Sequence, residues 1–155
     1  MEGGCVCRMV RYRLARTPMI VHCCHCSWCQ RETGSAFVIN AVIESQHLQI
    51  ASGAPRFVLT PSASGKGQEI ARCPTCHVAL WSHYSNAGRR ASFVRVGTMD
   101  MPNTCPPDVH IFVSAKQDWV TLPEHVPAFT AFYPSSEGIW SEAARARWKA
   151  LLASK

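Results

Sequence analysis

Four cysteines within seven residues are the first chemical signal in this sequence. They lie in the stretch HCCHCSWCQRETGSAF, which covers residues 22–37. Cys24 and Cys26 are two residues apart, so in an extended chain their side chains point the same way, and Cys29 can reach the same point if the chain turns at SWC. Cys23 has the opposite parity and is expected to be a small buried residue. The pattern predicts a metal site with three cysteine ligands.

Two further cysteine pairs predict a second site of a different kind. Cys5 and Cys7 form a CxC pair near the amino terminus, and Cys73 and Cys76 form a CxxC pair in the middle of the chain. Together they offer four thiolates, which is the closed tetrahedral set that structural zinc prefers. Because the pairs are far apart in sequence, a metal between them would join the first strand to the middle of the fold and stabilise it.

The number of ligands distinguishes the two predicted sites. Structural zinc has four protein ligands, whereas catalytic zinc keeps one position for water or substrate. Cys24, Cys26 and Cys29 leave that position open unless another residue fills it. His22 has the right parity to do so, and Cys105 lies in a loop segment that could fold in. An open site predicts catalysis and a closed site predicts a structural role, and both alternatives stand at this point.

Length, composition and charge narrow the class of protein. The chain has 155 residues, of which 47% are hydrophobic and 17% charged, and it contains no internal repeat, which predicts one domain over residues 1–155. No segment has the apolar length of a signal peptide or membrane span, so we expect a cytoplasmic protein without a membrane partner. Clustered thiols in a reducing cytosol are metal ligands more often than disulfides. The net charge is +6, but the basic residues are scattered and the cysteine spacing is not that of a zinc ribbon, which argues against nucleic acid.

The elements that must position the cysteines are mostly β-strands. Short runs rich in β-branched or aromatic residues alternate with turn clusters such as TPSASGKG, and these runs predict six strands. The predicted strands cover residues 10–14, 36–43, 56–59, 78–81, 92–97 and 110–114. One helix is predicted at the end, with Ser141 as its N-cap and an apolar face that includes Ala144 and Trp148. The chain is therefore predicted to be mainly β, with a core over about residues 3–133 and a C-terminal helix over about 141–153.

Three residues just beyond the three-cysteine site are predicted to contact a substrate. Gly34 and Ser35 form a turn whose backbone N–H groups can bind an anion. Arg31 is a basic residue that could attract carboxylates. Other basic residues that could do the same are Lys66, Arg72 and Lys116. A thiol that enters the open position of a three-thiolate metal would lose its proton near neutral pH, and the predicted ligand is therefore a small thiol.

Six motifs occur in an order that resembles a known family. They are GGCVC, VRYRL, CHCSWCQRETGSAF, CPTCHVALW, VGTMD and DVHIFVSAKQDWV. The chain resembles the glutathione-dependent formaldehyde-activating enzyme family, which also includes the centromere protein V type of domain. The resemblance implies a fold of several coiled antiparallel β-sheets that are cross-linked by zinc. This fold is similar to that of small zinc-binding accessory factors of Rab GTPases. It also implies up to two zinc ions, a structural one on Cys5, Cys7, Cys73 and Cys76 and a catalytic one on Cys24, Cys26 and Cys29.

The same resemblance implies an activity and two partners. The implied activity is that of a carbon–sulfur lyase that forms or cleaves S-hydroxymethylglutathione, with glutathione and an aldehyde, formaldehyde, as the partners. The alternative is a non-catalytic zinc-binding module of the same fold that acts through protein contacts. Family members usually have Gly after each cysteine pair of the structural site, where this chain has Arg8 and His77. Histidine is one of the few other residues enriched in the left-handed conformation, so His77 is expected to be a turn residue and Arg8 a surface residue.

Overall fold

Ten strands in two sheets make up most of the regular structure in this computed structural model, which describes residues 1–62 and 64–153. The strands are β1 (Glu2–Gly4), β2 (Arg11–Leu14), β3 (Ile20–Cys24), β4 (Val38–Glu44), β5 (Leu48–Ser52), β6 (Arg56–Thr60), β7 (Gln68–Arg72), β8 (Ala79–Tyr84), β9 (Ala91–Arg95) and β10 (Val109–Ile111). The α-helices are α1 (Ser27–Thr33) and α2 (Glu142–Ala153). The prediction of a mainly β fold with a short C-terminal helix is confirmed.

The two sheets differ in size and share no strand. The smaller has the order β1-β2-β5, and the larger has the order β10-β3-β4-β9-β8-β7-β6. Within the described residues, neighbouring strands of both sheets are antiparallel, as expected, with one exception: β10 runs parallel to β3. A parallel neighbour requires a long crossover, and here the chain passes through most of the larger sheet before β10 returns beside β3.

Alternation along the central strands places a hydrophobic core on each face of the larger sheet. In β4, Ala41 and Ile43 belong to a first core that also receives Tyr12 of β2, so this core lies between the two sheets. Val38 and Val42 belong to a second core on the opposite face. The second core is covered by the C-terminal segment, which supplies Tyr133, Trp140 and Ala144. The cysteine clusters divide between these two cores.

The six predicted strands correspond to β2, β4, β6, β8, β9 and β10, and each is confirmed with ends that differ by a few residues. The prediction missed β1, β3, β5, β7 and α1. All five residues of β3 are buried, so its sequence IVHCC lacks the polar alternation by which a half-buried strand is recognised. Helix α1 has seven residues, which is too short for a helical period to be seen in the sequence.

Helix α2 begins at the predicted cap. The backbone N–H of Ala144 donates to Ser141 Oγ at 3.1 Å, which confirms Ser141 as the N-cap. Ala144 is buried and the Trp148 ring lies 5.6 Å from that of Trp140, whereas Leu152 is 42% exposed, so only part of the predicted face packs on the fold. Neither α-helix in the described part of the chain has the length and apolar character to cross a membrane.

An ion pair fixes α2 against the larger sheet. Arg147 donates from Nε and Nη2 to the two carboxylate oxygens of Glu44, at 2.8 and 2.5 Å, and from Nη1 to the Thr17 carbonyl at 3.0 Å. Glu44 is 5% exposed and lies at the end of β4. A bidentate contact between a guanidinium and a carboxylate fixes both the distance between the two groups and their relative orientation. The pair therefore helps to fix the position of α2 on the larger sheet.

Candidate metal centres and the adjoining cavity

The four predicted ligands of the structural site come together as one cluster. The sulfur atoms of Cys5, Cys7, Cys73 and Cys76, here called the four-sulfur cluster, all lie within 4.8 Å of one another. The Sγ–Sγ distances are 3.4 Å between Cys5 and Cys7 and 3.6 Å between Cys7 and Cys73. A tetrahedral zinc with Zn–S bonds of about 2.3 Å places its sulfur atoms about 3.8 Å apart. The donor set and its spacing therefore fit a zinc ion.

The two loops that carry this cluster turn in the same way. Arg8 and His77 follow the two cysteine pairs and have φ values of 61° and 60°. The N–H of Arg8 donates to the Cys5 carbonyl at 3.0 Å, and the N–H of His77 donates to the Cys73 carbonyl at 3.1 Å. Both side chains are exposed. The expectations that His77 is a turn residue in the left-handed region and that Arg8 is a surface residue are confirmed.

The second predicted ligand set also comes together. The sulfur atoms of Cys24, Cys26 and Cys29, here called the sulfur triad, lie within 4.8 Å of one another. Cys24 ends β3, Cys26 is the N-cap of α1, and Cys29 lies in the first turn of that helix. The backbone N–H of Cys29 donates to Cys26 Sγ at 3.4 Å. The end of β3 and the start of α1 thus place three thiol groups around one point, as the spacing predicts.

The triad concentrates negative charge on one sulfur. Hydrogen bonds from the thiols of Cys24 and Cys29, and from the backbone N–H groups of Cys29 and Trp28, hold the pKa of Cys26 far below its ordinary value. The hydrogen bond with Cys26 raises the pKa of Cys24, and those with both partners raise the pKa of Cys29. A thiolate that accepts hydrogen bonds from two neighbouring thiols forms with them a set of three sulfur donors, and such a set is suited to a cation such as zinc.

Neither residue that the sequence offers as a fourth ligand lies with the triad. His22 Nε2 is 2.7 Å from the Tyr133 hydroxyl, and Cys105 is buried in the first core on the other face of the sheet. Within residues 1–62 and 64–153, the metal-capable group at this point contains only the three cysteines. The triad therefore has an open side toward any ion that it holds.

A cavity of about 400 Å³ lies at the triad and includes its three cysteines in the lining. His22 and Asn40 of the larger sheet line it, together with Lys66 from the loop before β7. Aromatic side chains from widely separated parts of the chain also line it. They are Trp28, Tyr84, Phe93, Phe112, Phe132, Trp140 and Trp148. The sequence does not predict this cavity, because nothing local to these residues indicates that they share one.

A buried hydrogen-bond chain holds one side of this cavity. Trp140 Nε1 donates to the Tyr133 hydroxyl oxygen at 2.6 Å, and the Tyr133 hydroxyl is 2.7 Å from His22 Nε2. Burial lowers the pKa of His22 to about 4 and raises that of Tyr133 to about 12. Since Trp can only donate, Tyr133 accepts from Trp140, and its hydroxyl shares a second hydrogen bond with the neutral His22 ring, whose tautomer sets the donor. The three rings are therefore fixed without a charge near neutral pH.

The three residues predicted to contact substrate lie outside the cavity. Arg31, Gly34 and Ser35 line a separate shallow groove together with Trp119. Gly34 has φ 63° and ends α1, and its N–H and that of Ser35 both donate to the carbonyl of Gln30. These N–H groups close the helix rather than face a ligand. A contact between these residues and substrate stays a prediction.

A third cluster, which sequence reasoning did not predict, lies behind the triad. Cys23 Sγ is 3.5 Å from His25 Nε2, and that nitrogen is 3.0 Å from His110 Nδ1. All three residues are buried, as expected for Cys23. Burial lowers the pKa values of both histidines, so the pair is neutral near pH 7. Parity could have indicated this cluster, because residues 23 and 25 share the face opposite to residues 24 and 26.

Comparison with known proteins identifies the family that the chain matches. A family model described as "Glutathione-dependent formaldehyde-activating enzyme" matches residues 1–115, which include all three clusters. No curated protein shows a significant match to the chain. Among solved structures, a Rhodobacter sphaeroides protein is similar, with 22% identity and a TM-score of 0.49 over 64% of this chain and 88% of that chain. A likeness at that level adds no argument about function.

Proposed function

Because the chain belongs to the glutathione-dependent formaldehyde-activating enzyme family, we propose that it is a zinc-dependent carbon–sulfur lyase acting on adducts of a glutathione-type thiol with an aldehyde. In the cleavage direction the carbon–sulfur bond breaks and its electron pair stays on sulfur. The hydroxyl proton of the adduct leaves to solvent as the carbonyl of the aldehyde forms. Formation of the adduct is the reverse, and neither direction involves an oxidant or a reductant.

The observation that carries this proposal is a sulfur triad with three protein donors that opens into a cavity. A zinc ion bound by three thiolates would hold an added thiol as thiolate near neutral pH, which activates its sulfur as a nucleophile or leaving group. The family's structural zinc would be held by the four-sulfur cluster, whose four donors leave no open position. One cluster thus matches a structural role and the other a catalytic role.

Other residues of the chain would bind the adduct and shield it. The aromatic side chains that line the cavity limit the access of water to the triad. His22 lines the same cavity as a neutral ring held by Tyr133, so it can donate a hydrogen bond to the adduct oxygen without adding a positive charge. Lys66 can attract a carboxylate of the thiol.

The alternative of a non-catalytic module is less well supported. That alternative predicts a triad closed by His22 or Cys105, but the described group of metal-capable atoms contains neither: His22 is bonded to Tyr133, and Cys105 is buried in the first core. The proposed location is the cytoplasm. Clustered thiols that serve as metal ligands are typical of a reducing compartment.

Calorimetry of the zinc-loaded protein tests the proposed function. Glutathione should bind with release of a proton, measured by repeating the titration in buffers of different ionisation enthalpy. S-methylglutathione has no thiol proton to lose and should bind at least about tenfold more weakly, because it cannot become a thiolate. Equal affinity of the two ligands would contradict a role of the triad in thiol binding and would favour the non-catalytic module.

A further inference from the structure

The cavity is larger than a formaldehyde adduct requires. Formaldehyde adds one carbon and one oxygen to a thiol, whereas the cavity has a volume of about 400 Å³. A molecule as small as water takes up about 30 Å³ in the liquid. The peptide part of a glutathione-type thiol also needs space, so volume alone does not identify the second occupant. The chemical character of the lining does.

One side of the cavity is built almost entirely from aromatic rings. Phe112, Phe132, Trp140 and Trp148, here called the aromatic wall, line it together. Lys66 is the only Lys, Arg, Asp or Glu among the described lining residues. A tripeptide thiol carries two carboxylates, which gain nothing from such a wall. An apolar or aromatic group would be bound there by burial of its surface.

Some aromatic surface at the cavity is left uncovered. Phe132 is 52% exposed and Trp28 is 44% exposed, although both line the cavity. Exposed aromatic surface at a concave site is a common mark of ligand binding, because a ligand that covers it removes apolar area from water. The two rings would cover an apolar group that enters toward the triad.

Backbone strain supports a functional role for the wall. Phe112 has φ 58°, a left-handed conformation that is rare for a bulky residue and concentrates at functional sites. Two hydrogen bonds maintain it: the Phe112 N–H donates to the Ala131 carbonyl at 3.1 Å, and the Val113 N–H donates to the Phe129 carbonyl at 3.0 Å. The segment that carries Phe132 therefore also fixes the backbone at Phe112.

Most of the wall comes from chain outside the family match. Phe132, Trp140 and Trp148 follow residue 115, where the match ends. The hydrogen bonds from Trp140 through Tyr133 to His22 hold this part against the sheet, and the Arg147–Glu44 pair holds α2. Because the side chains of the wall are already held in position, little conformational entropy is lost when a ligand binds.

We infer that the aromatic wall selects thiol adducts of aldehydes that carry an aromatic or similarly bulky apolar group. The inference rests on the proposed function and names its substrate class. In such an adduct the sulfur lies at the triad and the peptide lies toward Lys66. The aldehyde side chain contacts Phe112, Phe132 and Trp148. The reaction and its balance are those given above, with a larger group on the carbon that bears the hydroxyl.

A binding experiment tests the wall without any turnover. S-(2-phenylethyl)glutathione and S-methylglutathione are inert thioethers that differ only in the group the wall would contact. Calorimetry on the zinc-loaded protein should give about tenfold tighter binding of the phenylethyl compound. Phe132→Ala and Trp148→Ala should each reduce that ratio severalfold. Phe57→Ala, an aromatic truncation on β6 outside the cavity, should leave it unchanged. Equal affinities in the wild type would overturn the inference.

Kinetics separate this inference from the proposed function. Cleavage of the glutathione adducts of formaldehyde and phenylacetaldehyde is followed by release of free thiol, and kcat/KM should be about tenfold higher for the phenylacetaldehyde adduct. If the formaldehyde adduct is cleaved equally well or better, the inference fails while the lyase activity stands. If neither adduct is cleaved but the phenylethyl thioether binds tightly at the wall, the proposed function fails and the wall remains a site for apolar groups.

Discussion

At the scale of single residues, parity along one strand decides which side chains meet. Cys24 faces the triad and the cavity, whereas Cys23 next to it faces His25 and His110 on the other side. In an extended chain a shift of one residue reverses the direction of the side chain. Two adjacent cysteines of the same chemistry therefore belong to different clusters, and their substitution should have different effects.

Cys26→Ser should remove one zinc and leave a folded chain. The serine hydroxyl has a much higher pKa than the thiol and is a hard donor, so it does not replace a thiolate on zinc. Elemental analysis should show zinc falling from two ions to one per chain, with far-UV circular dichroism unchanged. Cys23→Ala is the matched control on the same strand and should keep both ions. Retention of both ions by Cys26→Ser would contradict the assignment of the triad.

The left-handed position after the first cysteine pair provides a second test at this scale. Arg8 has φ 61°, so a β-branched residue there should be strained and glycine should not. Arg8→Val is expected to lower the free energy of unfolding by about 1–2 kcal/mol relative to Arg8→Gly. Arg13→Val, in the extended strand β2, serves as the control and should be tolerated. Urea unfolding of the zinc-loaded variants measures the difference; equal stability of the two Arg8 variants would argue against a left-handed turn.

At the scale of elements, the placement of α2 depends on one buried ion pair. Burial raises the pKa of Glu44, but the hydrogen bonds from Arg147 and from the backbone, together with the positive charge of Arg147, outweigh it, so the pKa lies below the ordinary value of 4.5. A carboxyl group with a lowered pKa in the folded state stabilises the fold above its unfolded-state pKa. That stabilisation is lost as the pH falls through the lower, folded-state value.

Glu44→Gln should therefore loosen α2 in a pH-dependent way. Loss of charged hydrogen bonds to a buried group should cost about 2 kcal/mol near neutral pH. The difference in stability between wild type and variant should stay nearly constant from about pH 7 down to the ordinary pKa of 4.5 and shrink as the pH falls below it, and comparing the two proteins cancels the effect of zinc loss in acid. Glu69→Gln breaks the exposed pair with Arg89 and should have no measurable effect. A pH-independent difference would show that the carboxylate charge of Glu44 is not what holds the helix.

At the scale of the whole molecule, the four-sulfur cluster joins the two sheets. Cys5 and Cys7 lie between β1 and β2 of the smaller sheet, and Cys73 and Cys76 lie between β7 and β8 of the larger one. The first core lies between these sheets and contains Cys5 and Cys73. A metal in this cluster would cross-link the two sides of that core, whereas a metal in the triad would join only a strand end to the helix that follows it.

Zinc loss should therefore occur in two phases with different consequences. During titration with a chelator, the ion at the open triad should leave first with the fold intact. The second ion should leave together with a loss of tertiary structure, because folding and metal binding are coupled there. Near-UV circular dichroism and zinc release measured on one sample test this order. Cys73→Ser should lower thermal stability far more than Cys26→Ser, and similar losses in both variants would contradict the division of roles.

The sequence by itself determined which cysteines come together in each cluster and the class of fold. The spacing in CxCxxC, CxC and CxxC sets the direction of side chains only a few residues apart, and local geometry of that kind depends little on the rest of the chain. The half-buried strands, the cap at Ser141 and the left-handed turn at His77 are also set by local geometry. The residues that carry these features are adjacent or nearly so, and so their types and spacing were enough.

Only the tertiary structure decided that the triad is open and what it opens onto. His22 has the parity of a ligand, but its ring is held by Tyr133, which is 111 residues away in sequence. Gly34 and Ser35 form the expected turn, yet their N–H groups close a helix too short to be recognised by its period. The aromatic wall combines rings from α2, from the segment before it and from the end of β10. Such contacts depend on the path of the whole chain, and no local spacing encodes them.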